Sequence, residues 1–376
     1  MARLRRARSL MAHWRDGDFV IENFVTRIAV SAAPITVQIL SLFDDWQGRG
    51  ALAPQLPEFS RASISRAVRD LVEHTLLVAE GSAAARLDQE VATTWKQWLP
   101  HGSFHFATKD APFANPRQWK RLAQKIKAAA PQPALVKTYP KRKATALPPA
   151  RTESDEFLRV LLERKTHREF SGESLPLESL ATLLRYTWGS IGTLESPNFG
   201  TLFHKTSPSG GARHPAEVYV AALDVDGLTP GLYHYNHVDH TLEQLRTGQL
   251  RDEVLRLTLG QEHVGNACAV CFMTAVFPRS SYKYHTARAY RVVTLDTGHV
   301  GQTFCLVATW LGLAPFTTAA LADTDTERAL GIDGVNEGIL YVAGVGMPKN
   351  RPHGGRAPAG AGRPPAPAKT AGLRRR

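Results

Sequence analysis

The stretch that most restricts what this chain can fold into runs from Ser281 to Leu313. Val293, Val300, Phe304, Val307 and Leu311 recur there at helical spacing, while Gly298, Gly301, Cys305 and Ala308 form a second line of small residues. The pattern predicts one long buried helix. Threonine, valine and glycine are weak helix formers, costing up to ~1 kcal/mol each against alanine, so packing on both faces has to hold it. A small-residue face also lets another helix or a flat ligand come close. Just before the helix stand Tyr282, Lys283 and Tyr284, with Arg288 about one turn further on. An ammonium, two phenols and a guanidinium gathered in this way can do proton chemistry.

A chain of 376 residues is long enough for two domains with separate cores. The net charge of +12 suggests nucleic acid until it is located. Residues 1–15 hold five arginines and residues 347–376 hold eight basic groups, with no acid in either segment. Removing these 13 from the 46 basic residues leaves 33 against 34 acids, so the body is near neutral. Residues 1–17 and 350–376 are therefore expected to be solvated basic tails, the second one disordered. The three cysteines suit a reducing cytoplasm more than a disulfide framework. Cys268 and Cys271 form a CxxC, but in an apolar strand-like run with no second pair nearby, which points to buried structural cysteines and no metal. No stretch reads as a signal peptide or as long enough to span a bilayer.

From residue 18 to 100 the order is a hairpin over 18–30, a helix opened by Pro34, a second amphipathic helix capped by Ser60 or Ser63, and a strand near Leu76-Leu77-Val78. This order resembles a winged helix. Arg61, Arg66 and Arg69 could meet phosphates, but Asp44, Asp45, Glu58, Asp70, Glu73 and Glu80 scatter negative charge over the same unit. That mixture favours peptide capture at the hairpin edge over DNA. Residues 101–152 connect the two parts and include a proline- and lysine-rich linker from Pro131 to Pro149.

The second domain spans 153–349. Its opening helix ends in Arg164, Lys165, Thr166, His167, Arg168 and Phe170. Two arginines four apart, with a hydroxyl between them, can converge on one phosphate. On charge alone, a solvated basic helix end is an equally simple account. The segment Glu163 to Phe170 resembles the opening motif of the nitroreductase superfamily, which holds the phosphate and ribityl chain of FMN. Ser207-Pro208-Ser209-Gly210-Gly211 is similar to the glycine loop of one branch, the SagB-type azoline dehydrogenases, and Tyr282-Lys283-Tyr284 resembles their Lys-Tyr pair. These motifs stand in family order across roughly 153–349.

The resemblance implies an α+β, nitroreductase-like FMN domain preceded by the winged-helix-like unit, and an intertwined homodimer with FMN at its interface. Arg164, Thr166 and Arg168 would take the phosphate, with Lys349 or Arg351 joining from the C-terminal side. Gly210 and Gly211 would let backbone lie against the flavin ring, with Ser207, Ser209 and Thr318 as hydrogen-bond donors. Asn198, in an active-site loop over 193–203, would be a further contact. His214 either faces substrate or is a structural histidine. Lys283 is expected to act as the base that removes a proton from an azoline ring, with Tyr284 as its partner. The function implied is oxidation of thiazoline or oxazoline rings in a ribosomally made precursor peptide, with cyclodehydratase proteins as possible partners. The alternatives are an NAD(P)H-dependent nitro or quinone reductase and a flavin-sensing DNA-binding regulator.

Overall fold

The structure, a computed structural model, describes residues 2–111 and 155–349, apart from positions 49 and 51, with a few more between 118 and 128. The linker at 131–149, Arg351 and the tail from Pro352 lie outside the described residues.

The N-terminal part begins at once with structure. β1 (Leu4–Arg6) pairs antiparallel with β5 (Leu77–Ala79), and β2 (Leu10–Arg15), β3 (Asp18–Asn23) and β4 (Ile28–Ser31) form a three-stranded meander. The expectation of a flexible tail over 1–17 is therefore wrong, and its arginines explain why. Arg5 is only 2% exposed and donates to Asp88 at 2.7 Å, and Asp88 also accepts from the backbone N–H groups of Arg8 and Ser9. A buried charge persists only when it is paired and hydrogen-bonded in this way. Arg3 and Arg6 pair with Glu80 and Asp44. The anticipated two-stranded hairpin is likewise three-stranded.

Helices Pro34–Leu42 and Arg61–Glu73 cover this unit, the second capped by Ser60, whose hydroxyl accepts from the Ser63 N–H. Helices Ala83–Trp95 and Leu99–Ala107 then lead out of it. Their Trp95, Trp98 and Phe106 share a core with Phe277, Tyr290 and Val293 of the second part. The Trp95 indole donates to the Val335 carbonyl at 3.2 Å, and His105 meets the Tyr290 hydroxyl at 2.8 Å. The two parts therefore share buried surface instead of hanging on a linker.

After the helix Glu156–Glu163 comes β6 (Leu175–Pro176), paired with β10 (Val225–Asp226), and then the helix Leu177–Thr187 and a hairpin of β7 (Ser190–Ser196) and β8 (Gly200–Lys205). β9 (Ala216–Ala222), β11 (Gly231–Asn236), β12 (Thr241–Thr247), β13 (Ala269–Val276), β14 (Ala314–Thr318) and β15 (Glu337–Gly346) make a six-stranded antiparallel sheet in the order β12-β11-β9-β13-β15-β14. Strands β9 and β13 read as continuous apolar runs because both faces are covered. Val218, Val220, Cys271 and Met273 face the helix Leu177–Thr187 and the central helix, Ala289–Trp310; Tyr219, Ala221, Val270 and Phe272 face the opposite layer with Val254, Leu257 and Leu330. Cys268, Cys271 and Cys305 are all buried.

The central helix departs from expectation in one respect. Gly301 lies against Tyr341, where an added Cβ would stand 2.9 Å from the ring, and Phe304, Cys305 and Ala308 are buried. Leu295, Gly298 and Gln302 are exposed, however, and Gly298 has nothing near it. One face packs on the sheet and the other is open. No described helix is long and apolar enough to cross a membrane.

Candidate functional site

The central helix organises the site. Asp296, 4% exposed and the one acid of the central helix, accepts from the Ser209 hydroxyl at 2.6 Å and from the Gly210 N–H at 3.3 Å. Burial raises its pKa, and these two donors oppose the rise. Two turns on, the Thr303 hydroxyl meets that of Ser207 at 2.7 Å. Ser209 also accepts from the His214 N–H at 2.9 Å. Ser207 and Ser209, expected to reach a flavin edge, instead bind the glycine loop to the helix.

With the loop held in this way, its glycines are sterically required. A Cβ on Gly210 would stand 2.4 Å from Val292, and one on Gly211 2.4 Å from the Tyr284 hydroxyl and 2.7 Å from Lys283 Nζ. Gly211 has φ +61°, and Ala212 and His214 follow at +54° and +43°, conformations disfavoured for residues with a Cβ. Lys283 and Tyr284 thus converge on the glycine loop, as their proposed pairing needs.

Tyr282 is not part of that pairing. It is 71% exposed, and its place beside the ammonium is taken by Phe199 at the tip of the β7–β8 hairpin. Lys283 Nζ lies 4.7 Å from the Phe199 ring centroid and 5.4 Å from that of Tyr284, within cation–π range of both. Phe199 also covers the Arg213 guanidinium at 5.2 Å. Residues 193–203 are therefore mostly regular hairpin, with Asn198 exposed at the turn. The Trp98 indole donates to the Tyr284 carbonyl at 2.9 Å, so the N-terminal part fixes the backbone of the pair.

His214 is structural: its ring meets the Phe203 carbonyl at 3.0 Å, and burial, with Lys205 nearby, lowers its pKa to about 4. Beneath it lies Glu217, engaged by Arg279 and, at 2.9 Å, by His234. Lys205 is 8% exposed, its Nζ hydrogen-bonds to no described residue, and burial takes its amine down to about 8.

Arg164, Thr166 and Arg168 follow the helix Glu156–Glu163 along the ends of β14 and β15. The segment is held by backbone bonds from His167 to Pro315 and from Ser171 to Met347, and by Phe170 stacked on Gly346. Arg164 is close enough to Cys305 of the central helix to influence its thiol. None of the three side chains is bonded to a described residue. Asp296 and Cys305 are nine residues apart, about 14 Å along a helix. The loop and Arg164 therefore flank one stretch of the helix, whose open face carries Gly298, while Arg168 lies toward His263 of the opposite layer. Thr318 is elsewhere engaged, donating to Gln261 at 3.0 Å, and Lys349 pairs with Glu169.

These residues suit FMN. The Arg164 guanidinium and the Thr166 hydroxyl, without partners among the described residues, can take a phosphate, an open helix face next to the glycine loop can take a flat ring, and the buried Arg213 Nε has no acceptor among the described residues. Beyond Lys283 a groove of about 660 Å³ opens between Thr93–Gln97 and Pro278–His285, roofed by Phe199. Asp296, Phe199 and Trp98 were not anticipated. Only Asp296 had a signal, a lone acid inside the central helix.

Comparison with known proteins agrees with this architecture. The Nitroreductase family profile matches residues 161–347. A Methanocaldococcus jannaschii protein named as a nitroreductase is 31% identical over 173 residues, 46% of this chain and 83% of that protein. The trifolitoxin-processing protein TfxB of Rhizobium leguminosarum bv. trifolii is 31% identical over 163 residues, 42% of this chain but only 44% of its own length. Among solved structures, a chain of the Escherichia coli microcin synthetase McbBCD complex with truncated pro-MccB17 bound has a TM-score of 0.50 at 20% identity, over 69% of this chain and 96% of that one, a likeness of fold. With the family profile running from the helix before Arg164 to the end of β15, and a relative matched over four-fifths of its length, the chain belongs to the nitroreductase family.

Proposed function

We propose that this protein is an FMN-dependent dehydrogenase of peptide maturation, oxidising thiazoline or oxazoline rings of a precursor peptide to thiazoles or oxazoles. The observation that carries the reading is the convergence of Lys283 Nζ and the Tyr284 hydroxyl on Gly211, beside a groove of about 660 Å³. The similarity to a trifolitoxin-processing protein and the fold shared with a microcin synthetase chain support the substrate class. A precursor peptide and cyclodehydratase proteins are the partners this reading implies.

Turning an azoline into an azole removes a proton from one ring carbon and a hydride from its neighbour, leaving a new carbon–carbon double bond. FMN, when bound, supplies the two-electron acceptor. Lys283 takes the proton on Nζ, and the resulting ammonium is stabilised by the faces of Phe199 and Tyr284. The Tyr284 hydroxyl, on the same side of the loop, orients the ring nitrogen or carbonyl of the substrate. Arg164, Thr166 and Arg168 are the residues that would hold the FMN phosphate. The N-terminal unit recruits the peptide, offering the edges of its β2-β3-β4 sheet for an added strand.

The test is the visible spectrum of the purified protein with identification of any released flavin, followed by azole formation in Lys283→Ala. FMN in both proteins, with turnover lost only in the variant, is the expected result. Unchanged turnover in Lys283→Ala removes Lys283 as the base. A flavoprotein that reduces nitro compounds or quinones with NAD(P)H but leaves azolines untouched replaces this reading with that of a reductase.

A further inference from the structure

The groove beyond Lys283 has a one-sided charge. Its charged lining is Lys96 and Lys283, its other polar groups include hydroxyls, an amide and His285, and among the described residues no carboxylate lines it. Lys96 forms no ion pair with any described residue, and Lys283 meets only ring faces. Lys96 also has a backbone that side chains rarely adopt, φ +34° and ψ −113°, at the end of the helix Ala83–Trp95. Such a conformation persists only where its surroundings enforce it, and here Trp95 and Trp98 on either side are both 1% exposed. The buried tryptophans thus present an unpaired cation at the groove wall opposite the Lys283 segment.

We propose that this groove binds an acidic stretch of the peptide substrate and that Lys96 is a specificity-determining residue selecting for it. The proposal rests on the peptide-dehydrogenase reading for the identity of the ligand, while the cleft and its charge stand independently of it. A carboxylate side chain flanking the reacting ring would pair with Lys96 while the ring lies beside Lys283 and Tyr284. Lys96 belongs to the N-terminal part, so the unit that recruits the peptide would also form one wall of the cleft.

The experiment uses the full chain and fluorescein-labelled hexaglutamate and hexaglutamine peptides, followed by anisotropy at low and raised salt. Hexaglutamate is expected to bind more tightly than hexaglutamine, with the difference lost at high salt. Lys96→Gln should weaken hexaglutamate binding about three-fold, as one exposed charge pair would, and Lys96→Arg should restore it, with flavin content equal in all three proteins. Equal binding of the two peptides, or an unchanged affinity in Lys96→Gln, overturns the proposal. Displacement of hexaglutamate by a lower concentration of NADPH assigns the cleft to a phosphate ligand and overturns it as well. A colourless protein that still shows the Lys96-dependent preference keeps the cleft and removes the redox reading, so the two failures are distinct.

Discussion

Gly211 and Lys205 are the two positions where a single residue's environment makes the sharpest demands. Gly211→Ala would place a Cβ at φ +61° and against Lys283 and Tyr284. We expect a loss of about 1–3 kcal/mol in stability by denaturant titration, with azole formation falling much further than flavin content. At Lys205 the sign follows from burial. Its folded pKa, about 8, lies below the unfolded value of 10.5, so between these values the unfolded chain holds the extra proton and stability rises with pH. The burial penalty is in full force below pH 8. Lys205→Met should therefore be more stable than the parent at pH 7, by up to about 3 kcal/mol, and the gain should disappear near pH 10.5. Urea titrations at pH 7 and pH 10 check this, and a gain equal at both would mean that charge is not its source.

At the scale of elements, the junction between the two parts carries the functional weight. The helices Ala83–Trp95 and Leu99–Ala107 insert aromatic side chains beside the central helix, and the Trp98 indole holds the carbonyl of Tyr284. Trp98→Phe keeps most of the packing and removes that hydrogen bond, worth about 1 kcal/mol. We expect kcat for azole formation to fall with flavin content unchanged; a proportional loss of flavin would mean that the substitution disturbs the whole core. This junction was hard to read from the sequence, because Trp95 and Trp98 look like ordinary core residues. Their contacts are with residues nearly two hundred positions away. The β7–β8 hairpin poses the same difficulty, since nothing in its sequence marks Phe199 as the cover of Lys283.

For the whole molecule, the exposed apolar surface is the informative feature. Phe157, Leu162 and Leu295 are 69%, 78% and 60% exposed, on the helix Glu156–Glu163 and on the open face of the central helix. Large apolar side chains left this exposed often mark an interface. A second copy of the chain, covering the open helix face next to the glycine loop and Arg164, is the occupant expected here. Light scattering should give a dimer for the parent protein, and Leu295→Glu should give a monomer with less bound FMN. A parent protein that is monomeric while fully loaded with flavin would refute this arrangement.

Much of the architecture was determined by local pattern. The central helix and the apolar strand that carries Cys271 follow from periodicity and composition, because these signals are carried by neighbouring residues, while the glycine loop and the Lys-Tyr pair were singled out by their resemblance to family motifs. Partnership was decided only in three dimensions. Thr303 and Asp296 turned Ser207 and Ser209 inward, Asp88 turned an apparent basic tail into a strand anchored by Arg5, and Phe199 joined Tyr284 beside Lys283. The sequence lists charges and hydroxyls without their distances. A buried polar group takes whichever partner the tertiary fold brings within about 3 Å, and that choice is visible only once the chain is folded.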